Sequence, residues 1–108
     1  MGYKKIIAII RKGHLEEVEQ ALIKHGVKGI TVTQVKGFGG YINYFSQDWM
    51  CDHTRLELFV NENEVDSTVQ KLMDAAHTGA PGDGMVAVLP VDAVYRIRTK
   101  QPAKINEV

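Results

Sequence analysis

The chain has 108 residues, of which 44% are apolar and 24% charged, a composition that suits one soluble globular domain with a modest core. Its 13 basic and 13 acidic side chains cancel, so no surplus of Lys and Arg is available to neutralise a nucleic-acid backbone, which speaks against a nucleic-acid partner. The one cysteine, Cys51, excludes an intrachain disulfide framework and fits a reducing, cytoplasmic setting, and neither a cleavable signal pattern nor a bilayer-length apolar run is present.

Residues 3–11, YKKIIAIIR, are β-branched and aliphatic and predict a buried strand, which Gly13 and His14 break. Leu15, Val18, Ala21 and Leu22 then recur at helical spacing, with Glu16, Glu17, Glu19 and Lys24 outside and Gly26 as the stop. Residues 29–38 predict a second strand, ended by Gly37, Gly39 and Gly40. Residues 39–53 follow neither period and are read as a long exposed loop. Residues 54–60, TRLELFV, alternate as a half-buried strand. After a cap over 61–63, Val65, Val69, Leu72, Met73 and Ala76 give a second amphipathic helix, ended by Gly79. Residues 85–89 predict a strand and 93–98 a further strand or its continuation, and the polar tail 99–108 is expected to be mobile. Two strand–helix–strand halves make a ferredoxin-like βαββαβ sandwich, an α+β fold with a four-stranded antiparallel sheet and two helices on one face. The other face also carries Ile and Val, a reason to expect that further subunits bury it.

The run Thr78–Gly84, TGAPGDG, holds three glycines in seven residues. Glycines let the backbone turn sharply and present N–H groups to an anion, and Arg96 and Arg98 share one face if 93–98 is a strand. Physics alone leaves a phosphate cradle and a plain surface turn both open. Cys51 and His53, beside Met50, carry the donor types of a soft-metal site but leave it incomplete, and packing of Trp49 and Met50 is the simpler reading. Phe38, Tyr41, Tyr44, Phe45 and Trp49 give the loop five of the eight aromatics, either as a partner-binding anchor or as packing on its own assembly. No Walker lysine follows the glycines and no nucleophile–base pair is visible, so the residues give an enzymatic reading no support.

Three segments together resemble the PII signal-transduction family: KKIIAIIRKGHLEEVEQALIKHGVKGITVTQVKGFG at 4–39, HTGAPGDG at 77–84 and VYRIRT at 94–99. The resemblance implies a homotrimer that binds an adenine nucleotide (AMP, ADP or ATP) between neighbouring subunits. It further implies that the loop over 39–53, the T-loop, docks on a regulated protein; relatives in the broader PII-like group work beside membrane transporters. Carried over by position, Gly37 and Gly39 border the nucleotide, and Ile9, Thr31 and Val88 are candidates for the base. Gly82, Asp83 and Gly84 approach ribose and phosphates, Arg96 and Arg98 neutralise phosphate, and Phe38, His53, Thr78 and Met85 complete the set. Typical members carry Lys where this chain has Met85 and His53, so mono- or diphosphate is expected to compete well with the triphosphate. The T-loop is shortened, and the glutamine and tyrosine surroundings that serve 2-oxoglutarate and modification are not recognisable. A metal- or small-anion-binding trimer with a vestigial nucleotide cleft is the alternative.

Overall fold

The run YKKIIAIIR, expected as a wholly buried strand, is buried on alternate residues only. In β1 (Tyr3–Arg11), Ile6, Ala8 and Ile10 are buried toward the helices, while Lys5, Ile7, Ile9 and Arg11 lie on the opposite face and are only half-buried. The computed structural model describes residues 2–38, 50–104 and 107. The expected partner-loop residues Tyr41, Tyr44, Phe45 and Trp49, and Gly39 at the loop root, lie outside these described residues.

α1 (Leu15–His25) buries Val18 and Leu22 and closes on Gly26 at φ 100°, with Val27 N–H donating to the Leu22 carbonyl at 3.0 Å. β2 (Thr31–Gly37) is an edge strand. β3 (Cys51–Asn61) is followed by a 3-10 turn at Glu62–Glu64, α2 (Val65–Ala76) and β4 (Gly84–Pro90). The strands form one antiparallel sheet in the order β2-β3-β1-β4, the ferredoxin-like arrangement. Both helices cover one face, and Ile6, Ile10, Val18, Leu22, Leu56 and Leu72 make the core beneath them. Burying each such side chain contributes roughly 1.5–3 kcal/mol.

Several expectations shift. Cys51, Asp52 and His53, read as the end of the loop, belong to β3, because Gly37, Lys36 and Val35 pair with them; backbone pairing holds a stretch whose side chains carry no alternation. Met73, expected inward on α2, is 43% exposed, and Thr68 is buried instead. α2 stops at Ala76 with His77 extended, so Gly79 lies beyond the helix rather than ending it. Residues 93–98 do not extend the sheet: β5 (Tyr95–Arg96) pairs with β6 (Gln101–Pro102) in a separate hairpin. The tail read as mobile is therefore tied down in part. Ala103 N–H donates to the Val94 carbonyl and Lys100 N–H to the Arg96 carbonyl, each at 2.8 Å, and the Tyr3 hydroxyl donates to the Lys104 carbonyl. A polar composition concealed this because main-chain bonds need no apolar side chain.

Candidate functional site

The glycine loop is drawn together from inside by one carboxylate. Asp83 accepts from the Thr78 hydroxyl, from Thr78 N–H at 2.8 Å and from Gly79 N–H at 2.9 Å. Arg11, at the end of β1, donates Nε to Asp83 at 3.0 Å and Nη2 to the Pro81 carbonyl at 2.7 Å. The Thr78 hydroxyl first, then the two N–H groups and Arg11, hold the Asp83 carboxyl far below the usual carboxylate range. Gly84 ends the loop at φ 103°, where a Cβ would stand 1.7 Å from the Ile9 carbonyl oxygen. Only glycine lets the backbone return to β1 this closely, and Gly84 duly pairs with Ile10.

The uncovered sheet face carries two clefts. The first, of about 540 Å³, is lined by Ile9, Gly37, Phe38, His53 and residues Ala80 to Met85. The strand register explains the convergence: Arg11 faces His53, His53 faces Val35, and Ile9 faces Met85. The second, of about 550 Å³, is lined by Lys5, Lys28, Gly29, Ile30, Thr31, Glu57, Leu58, Phe59, Arg96 and Glu107. Lys5 and Ile9 lie four residues apart on β1, so the clefts are separated by roughly 13 Å of strand.

The two clefts differ in charge. Among the described residues, the lining of the first includes neither Lys nor Arg. In the second, Lys5 Nζ lies 3.0 Å and Arg55 Nη2 3.1 Å from Glu57 Oε1, and the Lys5 hydrogen bond foremost lowers the Glu57 pKa. Arg96 Nε lies 3.8 Å from Glu107 Oε1.

The structure thus brings Ile9, Gly37, Phe38, His53, Gly82, Asp83, Gly84 and Met85 into one cleft, with Thr78 behind it as a ligand of Asp83. Thr31 and Arg96 occupy the other. Two of the expected residues line neither cleft. Val88 pairs with the buried Ile6 and so belongs to the helix-covered face, opposite to Ile9. Arg98 does not share a strand face with Arg96: it sits in the exposed turn of the C-terminal hairpin. Cys51 is buried, His53 Nδ1 lies 3.3 Å from its carbonyl oxygen, and among the described residues no three His, Cys, Asp or Glu side chains assemble as a metal site. Sequence reading missed Arg11, Lys5 and Glu57. Their signal was parity: Arg11 and Lys5 fall in step with Ile9 on β1, and Glu57 in step with His53 on β3.

A ferredoxin-like sandwich with a glycine loop and two open clefts on its uncovered face defines a small ligand-binding α+β domain suited to assembly. The chain matches the sequence model of the family described as nitrogen regulatory protein P-II over residues 3–101. It is 42% identical over 103 residues to the nitrogen regulatory protein P-II of Synechocystis sp., covering 89% of this chain and 92% of that one. With nitrogen regulatory protein P-II 2 of Methanothermobacter thermautotrophicus the identity is 41% over 108 residues, covering 94% of each chain. A solved structure of Arabidopsis thaliana PII bound to citrate superposes with a TM-score of 0.84 at 34% identity, covering 95% of this chain and 90% of that chain.

The chain belongs to the P-II family, and it is a signal-transduction regulator of that family. Members of the family are trimeric regulators of partner proteins and bind small effectors. No helix among the described residues is long and apolar enough to cross a membrane.

Proposed function

We propose that this PII-family regulator binds an adenine nucleotide in clefts shared between neighbouring subunits of a homotrimer. In this reading one subunit supplies the glycine-loop cleft, with Ile9, Gly37, Gly82 and Gly84 against the ligand. Its neighbour supplies Thr31 and Arg96. The observation that carries the reading is the division of the expected ligands between two clefts on one uncovered sheet face. A single subunit cannot close such a site, and a second copy laid on that face can. Asp83 serves here as the internal brace of the loop rather than as a phosphate ligand, because an ionised carboxylate only accepts and its oxygens already hold the loop's own donors.

The transmission step is linkage. Gly37 lines the first cleft and stands at the end of β2, at the root of the loop that leads to β3, so a ligand that favours one arrangement of that root changes the affinity of the loop for its protein partner. A membrane transporter is the partner class that the shortened loop suggests.

Calorimetric titration with AMP, ADP and ATP tests the ligand. Replacing Arg96 with Ala is expected to lower affinity for the bound nucleotide by about tenfold, the loss of one charge-assisted contact. Unchanged affinity in that variant removes Arg96 from the site.

A further inference from the structure

The cleft formed by the glycine loop is short of positive charge. Among the described residues its lining contains neither Lys nor Arg, and Met85, which faces Ile9 across the strand pair, offers a neutral thioether that is 71% exposed. The nearby guanidinium of Arg11 is committed to Asp83 and to the Pro81 carbonyl. His53 is the lining side chain that can gain a charge. An imidazole changes its charge between about pH 5 and pH 8.

The ring is also held in one tautomer. Its Nδ1 lies 3.3 Å from the carbonyl oxygen of Cys51. A carbonyl only accepts, so Nδ1 carries the hydrogen and the neutral ring keeps its lone pair on Nε2. At Nε2 a neutral His53 therefore offers only a lone pair, and a protonated His53 offers an N–H donor. The charges around the ring are mixed. Arg11 stands opposite on β1 and Arg55 two residues along on β3. Asp83 of the glycine loop lines the same cleft, and His77 lies 3.9 Å from that carboxylate. Val35 of β2 and Met85 of β4 are neutral.

We propose that His53 reads phosphate charge in this cleft by taking up a proton from solvent when a nucleotide phosphate binds beside it. The proposal rests on the nucleotide reading above. No bond of the nucleotide is made or broken: imidazole becomes imidazolium, and the proton returns to solvent on release. At neutral pH the cleft thus discriminates against each added phosphate charge, and lowering the pH relaxes that discrimination.

The test is calorimetric titration of the purified protein with AMP, ADP and ATP at about pH 6 and about pH 8, for the native chain, His53→Gln and His53→Lys. Phosphate itself titrates near pH 6, so the readout is the difference between the native chain and His53→Gln. The gain in ADP and ATP affinity on acidification is expected to be about tenfold larger in the native chain than in His53→Gln, and smaller for AMP. His53→Lys is expected to bind ATP tightly with no such difference. As a measurement independent of variants, NMR titration of the His53 ring is expected to show its pKa rise when ADP is added. Equal pH dependence in the native chain and His53→Gln, or a His53 titration that ADP does not move, overturns the proposal. Absence of nucleotide binding at both pH values removes the nucleotide reading and this proposal with it.

Discussion

Asp83 and Gly84 are adjacent and do opposite kinds of work. Asp83 binds the glycine loop through its charge, and the unfolded chain lacks the donors that hold its proton affinity down. Its native pKa lies below the unfolded value, so its contribution to stability is complete above the ordinary carboxylate range and is lost as the pH falls toward the native value. Urea midpoints measured from about pH 6 to about pH 3 are therefore expected to show the native chain above Asp83→Asn near neutrality, with the gap closing on acidification below about pH 4. A gap that stays constant with pH contradicts the ionised brace. Gly84 acts by having no side chain. Gly84→Ala places a Cβ on the Ile9 carbonyl at a left-handed φ and is expected to cost at least about 2 kcal/mol in chemical unfolding. A loss below about 0.5 kcal/mol, the range of an ordinary surface change, contradicts the close approach.

At the scale of elements, α2 carries a flaw that can be repaired. Thr68 is 1% exposed and its hydroxyl has no hydrogen-bond partner among the described residues. Thr68→Val keeps the shape and removes the stranded group, and is expected to raise stability by about 1 kcal/mol, read as an increased urea midpoint. An equal or greater loss means that the hydroxyl is satisfied after all. α2 also shows what the sequence made legible. Val65, Val69, Leu72 and Ala76 announced the helix and its core-facing side correctly through spacing, whereas β1 was legible only as a β-branched, aliphatic run, without its two faces. Met73 and Thr68 traded places because hydropathy ranks a thioether above a hydroxyl, whereas burial followed helical phase. The loop cleft was legible as a glycine run, but the partners of Asp83 were not: Arg11 lies 72 residues away in sequence, and only the β1–β4 pairing brings it there. The hairpin of Tyr95–Arg96 with Gln101–Pro102 was illegible because backbone bonds, not apolar side chains, hold it, and the paired-arginine face drawn from RIR failed with it.

At the scale of the molecule, the described residues cover the sheet on one face only. Ile7, Ile9 and Val35 on the other face stay half-buried, with Phe59 at 38% and Met85 at 71% exposure. The same face carries both clefts, so assembly would hide apolar surface and complete a binding site in one step. The central claim is that each site draws its two halves from different subunits, and mixed assemblies test it directly. Met85→Glu places a repelling charge in the glycine-loop cleft, and Arg96→Ala removes one cation, the one assigned to the ligand, from the other. Each variant alone is expected to bind nucleotide weakly. Co-refolded mixtures of the two are expected to regain native-affinity sites, because an intact loop cleft from one subunit then meets an intact Arg96 from its neighbour. Calorimetry that finds no tight sites in the mixture, while the native chain binds, contradicts a shared site and confines the ligand to one subunit.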